Sequence, residues 1–169
     1  MTLTPGLRKL VLAAHVTVSV GWLGAVVAVL SLTVAGLAGQ AAHLVRAVYL
    51  AAEPITVFAV VPLAIASLVT GLISSLGTPW GLFRHYWVVF KLVLTVLATV
   101  VLLQFLGTAR HFADVAAGAD PVDASGLWSY LLHAGGGLLV LLATTVLGIY
   151  KPRGLTPYGW RKQQAQRAL

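Results

Sequence analysis

The chain has 169 residues, 59% of them apolar and 9% charged, with a mean hydropathy of +0.94, which excludes a water-soluble globular domain, where about a quarter of residues are charged. With no cysteine there are no disulfides or thiolate metal ligands, and the 17 glycines follow no three-residue period of a collagen-like chain. The formal charge of +7 does not mark nucleic-acid binding, because eight of the eleven Lys and Arg flank apolar runs on one side, the distribution expected of membrane anchoring.

The first apolar run, about 8–38, is too long for a signal-peptide core, and His15 and Trp22 inside it argue for a retained span. The second, about 44–75, carries Glu53-Pro54 and Pro62. These prolines predict a late helix start and a kink, since each lacks a backbone donor and disturbs the preceding turn. Gly77-Thr78-Pro79-Trp80-Gly81 reads as a turn. A third helix follows over about 84–110, with Lys91 in its interior, and the polar stretch Arg110 to Ser125 reads as the longest loop. The fourth helix covers about 127–150, and residues 151–169 form a basic, water-facing cytoplasmic tail. Four such spans use nearly all of the length in a single transmembrane domain.

With both termini in the cytoplasm, the inner flanks hold Arg8, Lys9, Arg84, Lys151, Arg153, Arg161, Lys162 and Arg167, against Arg46 and Arg110 outside. The expected fold is all-α, an antiparallel four-helix bundle that crosses the bacterial cell membrane several times. Trp80, Trp87, Trp128, Tyr130, Tyr150, Tyr158 and Trp160 fall near the interfaces, and Gly21, Gly24, Gly71 and Gly135-Gly136-Gly137 offer close approach for a helix or a ligand.

Ionisable groups inside spans are the sharpest functional signal, because each costs about 2.5–3.5 kcal/mol at mid-bilayer unless it faces the bundle interior. They are His15, Glu53, Lys91 and His133, with Gln104 as a neutral companion. At about 1.5 Å per residue, His15 counted from Arg8 and Lys91 counted from Arg84 both lie about 10 Å into the membrane from the inner face. The same arithmetic puts His133, Gln104 and Glu53 about 27–33 Å in, as an outer polar layer, with His111 and Tyr49 higher still. His15, Ser19 and Trp22 share one helical stripe, and Lys91, Thr95 and Thr99 another, so both stripes are expected to face inward.

Several chemistries suit this pattern. A b-type haem needs one or two neutral imidazoles, small residues and charge partners for its carboxylates. His15, His133 and His111 are the candidate ligands, with Lys91 and Trp22 beside them. A copper or zinc ion can instead be drawn to His15, His133, His111 and Glu53, or Glu53 and Lys91 can belong to an ion pathway. The structural alternatives stay open beside these: His15 as a hydrogen-bond partner between helices, Lys91 snorkelling to the interface, Glu53 near a helix start, and the glycine run as packing.

His15, six residues, then Trp22-Leu23-Gly24 resembles the first-helix signature H-x6-W-x-[GA] shared by copper-resistance protein D type proteins, DUF2269-like integral membrane proteins and HemJ-type protoporphyrinogen oxidases. Trp87-Val88-Val89-Phe90-Lys91-Leu92 resembles the W-x3-K-L segment of the HemJ-like group. Ser75 to Trp87 and Tyr150 to Gly159 look most like actinobacterial DUF2269-like proteins. The resemblance to the oxidases implies a b-type haem bound through His15, with Lys91 functionally important and a candidate catalytic residue. Leu131-Leu132-His133-Ala134-Gly135 stands where the oxidases carry an Arg-Asn-Glu-Pro-like segment. The leading expectation is a haem protein with a redox or haem-handling role, as in a haem-dependent membrane oxidoreductase, served by a quinone or another electron-transfer partner. The alternatives are copper or zinc binding or transport, and a non-catalytic accessory subunit. His15 and His133 differ by about 17 Å along the membrane normal, so the haem reading divides into one site at His15, or two, the outer using His133 with His111.

Overall fold

The computed structural model describes residues 3–39, 41–78, 81–118 and 121–167. Pro79, Trp80 and Asp120, which the sequence assigns to a turn, an interface and the longest loop, lie outside these. Helix α1 covers Pro5–Gly39; α2, Ala42–Ile55, runs through a π-helical turn, Thr56–Val60, into α3, Val61–Leu76; α4 is Tyr86–Ala117, α5 is Ser125–Tyr150 and a short α6 is Pro157–Arg167. The chain is an all-α bundle of four long apolar helices, each long enough to cross a membrane. Each packs on its neighbours in sequence, and α5 returns to α1, closing an up-and-down ring. Large apolar side chains point out of it: Phe58, Leu132, Leu139 and Ile149 are each at least 70% exposed. Such an exterior suits hydrocarbon rather than water.

The second span does not start late. It is helical from Ala42, because Val45, Val48, Tyr49 and Ala52 make a buried stripe that packs ahead of Pro54. Pro62 has no N–H to give the carbonyl four residues back, and between the two prolines the helix widens into the π turn. Helix α4 likewise outruns the expected end at 110. Phe105, Ala109, Phe112 and Ala116 keep a helical packing face through the charged stretch, so the connection shrinks to the residues between Ala117 and Ser125.

Arg46 closes that helix. Its guanidinium donates to the carbonyls of Ala116 at 2.8 Å and Gly118 at 2.5 Å, satisfying acceptors left over at the end of α4. Arg46→Met is expected to lower stability by about 1–2 kcal/mol, measured as the melting temperature in detergent, whereas Arg110→Met, at an exposed position, leaves it near wild type.

The start of α5 is held by Asp123, whose Oδ1 accepts the Ser125 N–H at 2.9 Å and hydroxyl at 2.6 Å. These bonds hold its carboxyl below the ordinary value of 3.8. A carboxyl depressed in the fold stabilises fully above its ordinary value and loses that contribution as pH falls through the folded one. A small fall in melting temperature is therefore expected as pH drops below 3.8, with Asp123→Asn lacking that step.

Around this end an aromatic cluster fills the core. Tyr49 stacks on Phe112 (centroids 5.0 Å apart), Tyr130 meets Phe105 edge-on at 4.9 Å, and Phe105 stacks on His133 at 4.2 Å. Tyr130 is fully buried and donates to the Ala109 carbonyl at 3.2 Å, so it is a core residue of the bundle.

At the opposite end Leu3 and the segment after α5 meet the connection between α3 and α4. Leu3 N–H donates to Gly77 O, Tyr86 N–H to Gly154 O and Thr156 N–H to Arg84 O. The expected tail therefore folds back on the bundle. Thr156 accepts the Gly159 N–H at 3.1 Å and Pro157 opens α6, an N-cap and first-turn proline in their favoured places. Its basic residues Arg161, Lys162 and Arg167 stay exposed.

Candidate functional site

At the end that holds both termini, α1, α3, α4 and α5 surround a cavity of about 440 Å³, within the range of about 300–1,000 Å³ usual for small-molecule sites. His15 and Lys91, the two residues brought to one level by depth counting, both line it, together with Thr95 from the Lys91 stripe.

The other stripe also turns inward. Ser19 and Ser67 hydroxyls lie 2.8 Å apart, and His15 Nδ1 lies 3.1 Å from the Thr70 hydroxyl. Thr70 gives its single proton to the Ala66 carbonyl at 2.6 Å, so its oxygen accepts from His15. This network assigns the proton of a neutral imidazole to Nδ1 and leaves a lone pair on Nε2, the arrangement that orients a ligating histidine. The sequence reading missed Thr70 as a site residue; its one signal is a hydroxyl near the inner end of the second span.

Two glycines let the polar side chains lie close against neighbouring helices. A β-carbon on Gly71 would stand 3.1 Å from His15 Cε1, and one on Gly148 would stand 2.9 Å from Lys91 Nζ. Arg8 and Lys151 complete the wall, with hydroxyls from Ser67, Ser74, Ser75 and Thr78. Lys151 sits there in the left-handed region at φ 43° as the cap of α5, ahead of Pro152, which cannot continue the helix. Among the described residues no carboxylate lines this cavity. Glu53, Asp114 and Asp123 belong to the second span and to the far end of α4 and its connection to α5. Arg8, Lys91 and Lys151 on a wall with no carboxylate among the described lining residues make a positive pocket suited to a ligand with anionic groups.

The remaining expected residues go elsewhere. Trp22 is buried two turns beyond His15 and lines a second, apolar cavity of about 400 Å³, with His133 on its far wall. His133 Nδ1 donates to the Ser129 carbonyl at 2.7 Å, so its Nε2 also carries a lone pair. His15 and His133 therefore belong to separate cavities. His111 is exposed on α4 and lines neither; Glu53 is half-buried on α2 and lines neither. Gln104 is exposed on the outside of the bundle, so it does not join an interior polar layer: depth counting gives height but not the side of the helix. Among the described residues no three His, Asp or Glu side chains come together as a metal site. His43 is exposed, and His85 caps α4 while bridging to Leu155. No family model, curated protein or solved structure matches the chain.

Proposed function

We propose that the protein is a b-type haem-binding protein of the bacterial cell membrane, with the cation-rich end cytoplasmic, and that it has a redox or haem-handling role. The observation that carries this reading is one cavity that joins an imidazole, hydrogen-bonded through Nδ1 to Thr70, to Arg8, Lys91 and Lys151, with no carboxylate among the described lining residues. That donor set suits a flat amphiphile that needs a nitrogen ligand and bears two carboxylates. In this reading His15 would hold the haem through its imidazole, and Arg8, Lys91 and Lys151 would balance its carboxylates. Leu12, Leu68, Leu72 and Leu92 keep water from the macrocycle, and Thr70 holds the imidazole in its ligating tautomer. A haem bound there would supply one-electron chemistry.

The test compares haemin with its dimethyl ester, in which the propionates are masked, by titration into detergent-purified protein. Haemin is expected to bind one to one and the ester at least about tenfold more weakly, a difference of about 1.4 kcal/mol. In Arg8→Gln and Lys151→Gln the gap narrows. Equal affinity for both would overturn the role given to the cations, and failure of both to bind would overturn the haem reading.

A further inference from the structure

We infer that the apolar cavity is a second, separate binding site, for a lipid-soluble ring bearing hydroxyls, the quinol class; this does not rest on haem in the first cavity. Its mouth opens sideways between α4 and α5. Leu97, Val101 and Leu132 line it and are 56%, 47% and 73% exposed on the face of the bundle that meets hydrocarbon. A ligand therefore enters from the bilayer, and the walls give little to a charged or water-soluble molecule.

The polar groups of the wall define what the ligand must offer. Thr56 donates its hydroxyl to Ala52 O at 2.7 Å, Tyr130 to Ala109 O, and His133 its Nδ1–H to Ser129 O. All three have spent their protons on the protein, and His133 Nε2 remains as an acceptor. Trp22, 3% exposed, also lines the cavity and carries an indole N–H, a group that can only donate. An imidazole lone pair in an apolar cavity is expensive unless a donor reaches it, because little bulk water is at hand. A hydroxyl suits this wall, since it donates to an imidazole and accepts from an indole N–H.

Shape points the same way. In the Gly135-Gly136-Gly137 run a β-carbon on Gly135 or Gly136 would meet nothing within 4 Å, and one on Gly137 would meet Val26 of α1 at 3.9 Å. Gly136 and Gly137 instead leave α5 bare where it forms the cavity wall, next to His133 and Phe105 stacked at 4.2 Å with an interplanar angle of 20°. A bare backbone beside a stacked pair leaves a slot for a planar ring.

The experiment is anaerobic calorimetric titration of the detergent-purified full chain with a short-tailed benzoquinol, the corresponding quinone and an alkylbenzene with the same tail. The quinol is expected to bind about tenfold more tightly than the quinone, whose carbonyls cannot donate to His133, and the alkylbenzene more weakly than either. His133→Phe keeps the stack on Phe105 and is expected to erase the quinol's advantage. Gly136→Leu, placed in open space with a better helix former, is expected to abolish binding without lowering the melting temperature. Equal affinities for quinol and alkylbenzene, or undiminished quinol binding in Gly136→Leu, would overturn the proposal.

Discussion

His15→Ala is expected to abolish stoichiometric haemin binding while leaving the fold near its wild-type stability. The two effects separate because of how Thr70 is bonded. Its proton already goes to the Ala66 carbonyl at 2.6 Å, so removing the imidazole strands no donor, and the lost interhelical hydrogen bond is worth only about 0.6–1.7 kcal/mol in a membrane bundle. A ligand, in contrast, has no substitute: among the described residues His15 is the only histidine on the wall of that cavity. Thr70→Val is the intermediate case, expected to weaken haemin binding about 10–100-fold by releasing the orientation of the ring. If His15→Ala lowers the melting temperature while haemin binding is unchanged, His15 is a strut between α1 and α3.

Tyr49→Ala is expected to have the reverse profile, with a large loss of stability and no change in haemin affinity. Tyr49 is fully buried, stacks on Phe112 with rings 14° apart, lies 5.8 Å from Tyr130 and donates to the Asp123 carbonyl at 3.1 Å. It ties α2 to α4 and to the segment before α5. Truncating a buried aromatic costs about 3–5 kcal/mol. Little of that is transfer out of water, because lipid tails are as apolar as the core; it is lost contact around a ring-sized hole. That is a large part of the roughly 5–15 kcal/mol by which proteins are stable. Tyr49→Phe, which keeps the stack, is expected to cost only about 1 kcal/mol. Chemical denaturation in mixed micelles compares the two, and equal effects would place the stabilisation in the hydroxyl rather than in the ring.

Relative height along the bundle was legible for His15 and Lys91 because helical rise is constant: counting from Arg8 and Arg84 puts them at one level, and they line one cavity. The inward stripe from His15 through Ser19 to Trp22 was legible for the same reason, since helical spacing fixes which residues share a face. Azimuth was not, and Gln104 faces outward beside a buried Phe105. Hydropathy also hid the end of α4. Arg110, His111 and Asp114 look like loop, but they occupy the exposed sides of a helix whose packed side reads Phe105, Ala109, Phe112, Ala116. That period was in the sequence, masked by the charges between. The proline pair promised a kink, and its realisation as a π turn depends on how the second span packs against its neighbours. Tyr49 and Tyr130 suit an interface by chemistry, and only the tertiary contact that gives each hydroxyl a carbonyl partner allows them to be buried.

The most direct measurement is the absorption spectrum of the wild-type protein, oxidised and dithionite-reduced, purified in mild detergent from cells supplied with a haem precursor and again after adding haemin. The haem reading requires a stoichiometric Soret band that shifts on reduction, with the visible peaks of a b-type haem. A protein that stays colourless in both preparations, with its helices intact by circular dichroism, would contradict it.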